Sequence, residues 1–249
     1  MDQRARRPLA GSASAGGRER LRSSLRTPRA AGIAGVLFSL LLGTALVLIG
    51  VSTPSQPSEA GAWLTDPDRR AAVAIALNLV PFAGIAFLWF IGVIRDRVGE
   101  REDRLFATVF LGSGLLFVGM LFVSAAVAAS VLADPAIERG TIPSPETWGL
   151  GRRITFTVLN VYAMKMGGVF ILSATSIGRR TGVIPRWLVV TGIAAALILL
   201  IGSQVSTWVN LVLPAWALVV SADILLNGVE GGRGPGASAG SAEGSTTAA

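Results

Sequence analysis

Apolar residues run along this chain in long unbroken stretches, without the period-two alternation of strands or the narrow stripe of a soluble helix. Crossing about 30 Å of hydrocarbon takes roughly 20 helical residues. Four stretches meet that length singly: Ala30 to Val51, Ala71 to Ile94, Leu105 to Leu132 and Ile154 to Ile177. The third is long enough to tilt or project into water. From Trp187 to Asn227 the chain is apolar for too long to be one span, and Gly202-Ser203-Gln204-Val205-Ser206 is the natural turn between two short helices. The pattern predicts an all-α, polytopic membrane bundle of six transmembrane helices over residues 30–227. Five spans plus a re-entrant segment is the alternative count.

The flanks read differently. Residues 1–29 hold eight arginines against Asp2 and Glu19, scattered among Gly, Ser, Ala and Pro with no apolar period. That composition predicts a disordered basic tail, with a transit peptide or a segment lying on anionic lipid as the alternatives. Residues 228–249 are rich in Gly, Ser and Ala and predict a second flexible tail. Ala60-Gly61-Ala62 resembles a signal-peptidase site, but the apolar run before it far exceeds the 7–15 residues of a signal peptide.

Orientation follows from the basic residues, which stay on the cytoplasmic side of short loops. With the N-terminus inside, sixteen of the 22 fall in cytoplasmic segments: the N-terminal tail, Arg95, Arg97, Arg101, Arg104, Arg179, Arg180, Arg186 and Arg233. Five fall outside: Arg69, Arg70, Arg139, Arg152 and Arg153. Both termini are therefore expected in the cytoplasm.

Composition then narrows the chemistry. The 249 residues are 51% hydrophobic and only 15% charged, with a net charge of +7 and a mean hydropathy of +0.61. There is no Cys and no His. Disulfides, Cys or His metal ligation, cysteine nucleophiles and Ser-His arrangements are excluded with them. No cofactor, metal or nucleic-acid partner is expected; the lipid bilayer is.

One ionisable residue falls mid-span. Lys165, the only lysine, is twelfth in the fourth stretch, where an ammonium costs roughly 2.5–3.5 kcal/mol on insertion scales. Its side chain leans toward the helix N-terminus, which is the outer side here. By helix rise, Asn78 and Asn160 lie at the depth its amine reaches, and Tyr162 is on the same face one turn away. Pro81 cannot donate to the Leu77 carbonyl, leaving that oxygen available. These residues define a candidate outward-facing ligand site of Lys165, Tyr162, Asn160 and Asn78, with Ser124 in the same slab. The competing reading is a snorkelling lysine with the two asparagines as interhelical glue. Asp223, near the cytoplasmic end of the last span, is too deep to pair with Lys165, and Gly112-Ser113-Gly114 reads as packing and not as a nucleophile.

Small residues recur every four positions at Ala31, Gly35, Ser39 and Gly43, a seam that admits close helix approach either within the chain or to a second subunit. Gly167 and Gly168 suggest the same on the fourth span. The loop Arg95 to Arg104 balances four positive and four negative charges and reads as a self-paired hairpin or a docking point for a cytoplasmic partner. Ala133 to Arg153 is long enough to act as a lid, with Trp148 as an interface anchor.

The turn Arg180-Thr181-Gly182-Val183-Ile184-Pro185-Arg186-Trp187-Leu188 resembles an R-x-G-x-x-P-R-W-L turn of uncharacterised six- to seven-span integral membrane proteins of GC-rich bacteria. The resemblance implies the six-span layout and a bacterial cytoplasmic membrane as the expected location, and carries no activity or site residue. Two functions are expected from the sequence: a structural or accessory membrane protein acting through helix packing or partner binding, or a small transporter or receptor with an outward-facing polar pocket around Lys165. A membrane enzyme has the least support, because a buried lysine would be its only base.

Overall fold

The computed structural model describes residues 28–53, 66–98, 104–134, 137, 144–181 and 184–227. The expected tails, apart from Pro28 and Arg29 at the start of the first helix, and residues 99–103 of the Arg95 to Arg104 hairpin lie outside them. The described residues are helical throughout apart from turns. They form α1 (Pro28–Ser52), α2 (Pro67–Val98), α3 (Arg104–Leu132), α4 (Pro145–Phe156), a π-helical segment (Thr157–Ala163), α5 (Met164–Thr181), α6 (Arg186–Gly202), a short 3-10 turn (Thr207–Leu211) and α7 (Val212–Asn227). Segments α4, π and α5 are one continuous rod. Among the described residues, five helices have the length and hydropathy to cross a membrane, with mean hydropathies from 1.4 to 2.5, and the 17-residue α6 is a shorter apolar helix. The chain is a membrane-embedded helical protein.

Local chemistry sets the helix ends. Asp66 caps α2, its Oδ1 accepting from the Asp68 and Arg69 amides at 3.0 and 3.4 Å. Ser144 caps α4 by accepting from the Thr147 amide, with Pro145 at the first helical position. The rod begins at Pro145, well before the expected Ile154. Hydropathy misses this first section because Arg152 and Arg153 interrupt it. Between α6 and α7 the chain turns at Ser203–Val205, closed by the Val205 amide on the Gly202 carbonyl at 2.9 Å, where the sequence predicts a turn.

Packing follows two rules of helices in lipid, close approach at small residues and van der Waals complementarity. A Cβ at Gly35 would overlap Ser221 Oγ and lie 2.8 Å from two Phe90 ring atoms, so α1 sits against α7 and α2 only because that Cβ is missing. Gly32, next to Leu225, extends the contact. Buried Ser39 bonds back to the Gly35 carbonyl at 2.7 Å. Nothing lies within 4 Å of a Cβ at Gly43, and the side chain of Ala31 lies outside the described residues. The part of the seam that packs is therefore closed by this chain's own last helix. Gly168 serves likewise on the rod, a Cβ there falling 3.2 Å from the Ala196 carbonyl of α6.

The centre is a cluster of rings. Phe87 lies 4.6 Å from Phe38, 5.0 Å from Phe117 and 4.9 Å from Phe170, and Phe170 continues to Phe110 at 4.8 Å and Trp216 at 6.3 Å. It joins α1, α2, α3, α5 and α7. These phenylalanines are fully or almost fully buried, and each such pair contributes about 0.5–1.5 kcal/mol beyond area burial.

Candidate functional site

The contact of Gly32 with Leu225 places the described chain ends at one end of the bundle. At the other end the helices part around a cavity of about 440 Å³. Its walls come from the end of α1 (Leu42 to Thr53), the start of α2 (Val73, Leu77, Val80), the end of α3 (Leu121 to Leu132), one face of α4 and the α6–α7 turn (Val205 to Trp208). Leu42 and Leu121 lie one turn from Phe38 and Phe117, so the ring cluster fills the bundle section just beyond the cavity's inner end.

Spacing explains the α4 wall. Trp148, Gly151, Arg152, Thr155, Phe156, Leu159 and Asn160 all line the cavity, a three- and four-residue spacing that keeps one helix face inward. Trp148 is half-buried here and packs beside Val73, Leu77 and Ile137. Ser124 of α3 donates to the Thr155 carbonyl at 3.1 Å and ties that wall to α4.

The floor is built by the π segment. Its wider turn, closed by the Met164 amide on the Leu159 carbonyl, changes the phase of the rod and buries Asn160 and Ala163. Asn160 is 1% exposed and Asn210 is completely buried. Asn210 Nδ2 donates to Asn160 Oδ1 at 2.8 Å, and Asn160 Nδ2 donates to the Phe156 carbonyl at 3.0 Å. The Asn160 carbonyl accepts from Ser203 Oγ at 2.8 Å. Hydrogen bonds between membrane helices contribute about 0.6 kcal/mol on average and up to about 1.7. Here two of them pin the α6–α7 turn to the rod. π segments are often found at functional sites.

Of the four ligand residues expected from sequence, the cavity includes Asn160. Asn78 is on the outer surface of α2, where its amide donates to the Ala74 carbonyl at 2.8 Å. Tyr162 is 54% exposed on the outside of the rod. Lys165 is half-buried just past the π segment and makes no hydrogen bond or ion pair with a described residue. None of these three lines the cavity. The structure brings Arg152 and Thr155, which were not expected there, and Ser124 of the expected slab to the space that Asn160 and Leu77 border. The signal for Arg152 and Thr155 was their spacing from Trp148 and Asn160, masked because the expected boundary between loop and span at Ile154 separates Trp148 and Arg152 from Thr155 and Asn160.

No family model, curated protein or solved structure matches this chain.

Proposed function

We propose that the chain is a six-span protein of a bacterial cytoplasmic membrane, both termini cytoplasmic, whose outer-end cavity binds a small, largely apolar molecule as a receptor or transporter does. One observation carries the reading: a cavity of about 440 Å³ between the parted helix ends. Sites for small molecules have volumes of about 300–1,000 Å³, with mostly apolar walls and a few placed polar groups. Arginine asymmetry supports the orientation, since sixteen basic residues fall on the side of the chain ends and five on the side of the cavity. Helix α6, at 17 residues, reaches the lower limit for a span, and with it the crossings number six.

The ring cluster beside the cavity gives this conformation a closed inner half, as in a receptor or the outward-open state of a transporter. The accessory reading loses part of its basis, because Gly35 of the seam is covered by α7 and not left for a partner.

The native chain has no cysteine, so single cysteines test the reading without background. Ala128→Cys lines the cavity, and Ser173→Cys is buried on α5. A charged, impermeant thiosulfonate added outside intact cells should modify Ala128→Cys and spare Ser173→Cys. Modification of Ala128→Cys only in inverted vesicles would reverse the orientation, and no modification from either side would remove the open cavity.

A further inference from the structure

The α4 wall descends as a polar ladder facing apolar helices, and its charge is of one sign. Among the described lining residues Arg152 is the only charged side chain; no Asp, Glu or Lys borders the space. Arg152 is exposed and makes no hydrogen bond or ion pair with a described residue, whereas neighbouring Arg153 donates back to the Gly149 carbonyl at 3.1 Å. A lone guanidinium beside low-dielectric walls concentrates a positive potential at the opening. One turn further in, Thr155 Oγ1 is shielded from solvent and has no partner among the described residues. Arg152 and Thr155 share one face of α4, and both residues line the same space.

The floor offers the opposite chemistry. Asn160 Oδ1 and Nδ2 are both engaged, with Asn210 and with the Phe156 carbonyl. Across from it stand Leu42, Val80 and Leu121. From Arg152 to Asn160 is eight residues of rod, or ~12 Å at helical rise. The space is thus polar and cationic at its opening and apolar at its end.

We infer that the cavity takes a single-chain amphiphile with an acidic head group, the carboxylate or phosphate held by Arg152 and Thr155 and the chain directed inward past Leu77 and Leu121. A guanidinium meets either group through two parallel hydrogen bonds, which an ammonium does not reproduce. This rests on the binding cavity proposed above and names its ligand class.

The test uses full-length protein in phosphatidylcholine nanodiscs, with 2-bromoundecanoate and the uncharged 2-bromoundecanol as probes, whose bromine lies beside the head group. Bromine quenches tryptophan on contact, and Trp148 and Trp208 both line the cavity. The acid should quench saturably, and Arg152→Ala should raise its Kd about tenfold, the size of a lost charge-assisted pair. The alcohol should bind about tenfold more weakly and ignore Arg152→Ala. Ala125→Phe, which fills the chain's path, should abolish saturation; Ala128→Phe is a second block nearer the opening should the first misfold.

Equal binding of acid and alcohol, with Arg152→Ala silent, overturns the head-group assignment and leaves the cavity reading standing. Absence of saturation, or saturation that neither block removes, overturns both. Phosphatidylglycerol in the nanodisc identifies the source: a raised Kd for the acid means that an anionic membrane lipid takes the same site, and an unchanged Kd assigns it to a free amphiphile.

Discussion

Replacing Gly35 by alanine adds one methyl group where α1 touches α7 and α2. The new Cβ would overlap Ser221 Oγ and stand 2.8 Å from Cδ2 and Cε2 of Phe90, where carbon contacts are optimal at about 3.5–4.0 Å. Ser221 can rotate, but Phe90 is completely buried and belongs to the ring cluster, so a helix has to shift. Overpacking of this kind costs about 1–3 kcal/mol. The gain in helix propensity from Gly to Ala returns up to about 1 kcal/mol. With that return, Gly35→Ala should be destabilised by up to about 2 kcal/mol. Gly43→Ala has no atom within 4 Å of its Cβ and should be neutral or up to about 1 kcal/mol more stable. Unfolding in mixed micelles by SDS titration, followed by far-ultraviolet circular dichroism, compares the two. Ser221→Ala added to Gly35→Ala should recover part of the loss, because the serine hydroxyl is buried with no partner among the described residues and its removal opens space. A Gly35→Ala protein as stable as Gly43→Ala would refute the α1–α7 contact. Loss of a dimer on gel filtration with unchanged unfolding would move the seam to a second subunit.

Other outcomes follow from the same geometry. In a double-mutant cycle, Asn160→Ala and Asn210→Ala should couple by about 0.6–1.7 kcal/mol in SDS unfolding, the range for hydrogen bonds between membrane helices; additivity would dissolve the pair. Lys165→Met should leave probe quenching unchanged, because Lys165 does not line the cavity, and should match or exceed wild type in SDS unfolding, because it removes a charge from mid-span. Altered quenching would return Lys165 to the site. Ser144→Ala removes the α4 cap and should cost about 1 kcal/mol locally, read as faster amide exchange at Thr147 and Trp148; unchanged exchange would mean that the cap does not hold this end of α4.

The membrane class, the apolar stretches of the helices and even the turn at Ser203–Val205 were legible in the sequence, because twenty apolar residues and a cluster of Gly, Ser and Gln are local properties that lipid and backbone geometry read directly. Close approach at Gly35 was legible too, since a missing side chain is a fact of sequence. Which helix filled the gap was not. Four-residue spacing marks a face without naming its neighbour, and α7 stands beside Gly35 only because the intervening helices turn the chain back on itself. The candidate site shows the same limit more sharply. Depth counted along straight α-helices puts Lys165, Tyr162, Asn160 and Asn78 at one level, but level says nothing about azimuth. Asn78 faces outward on its own helix and Tyr162 lies on the bundle exterior. The seven-residue π segment rephases the rod between Arg152 and Lys165, so residues counted on one α-helical face do not all stay there. No residue in Thr157–Ala163 announces that widening. It exists in the structure beside its bonds to the α6–α7 turn, where Asn210 and Ser203 arrive from about fifty and forty residues away in sequence. The sequence by itself determined that the chain forms helices long and apolar enough to cross a membrane. Tertiary packing decided which polar groups meet, because a hydrogen bond or a cavity depends on the relative rotation of several helices, and no single helix encodes that rotation.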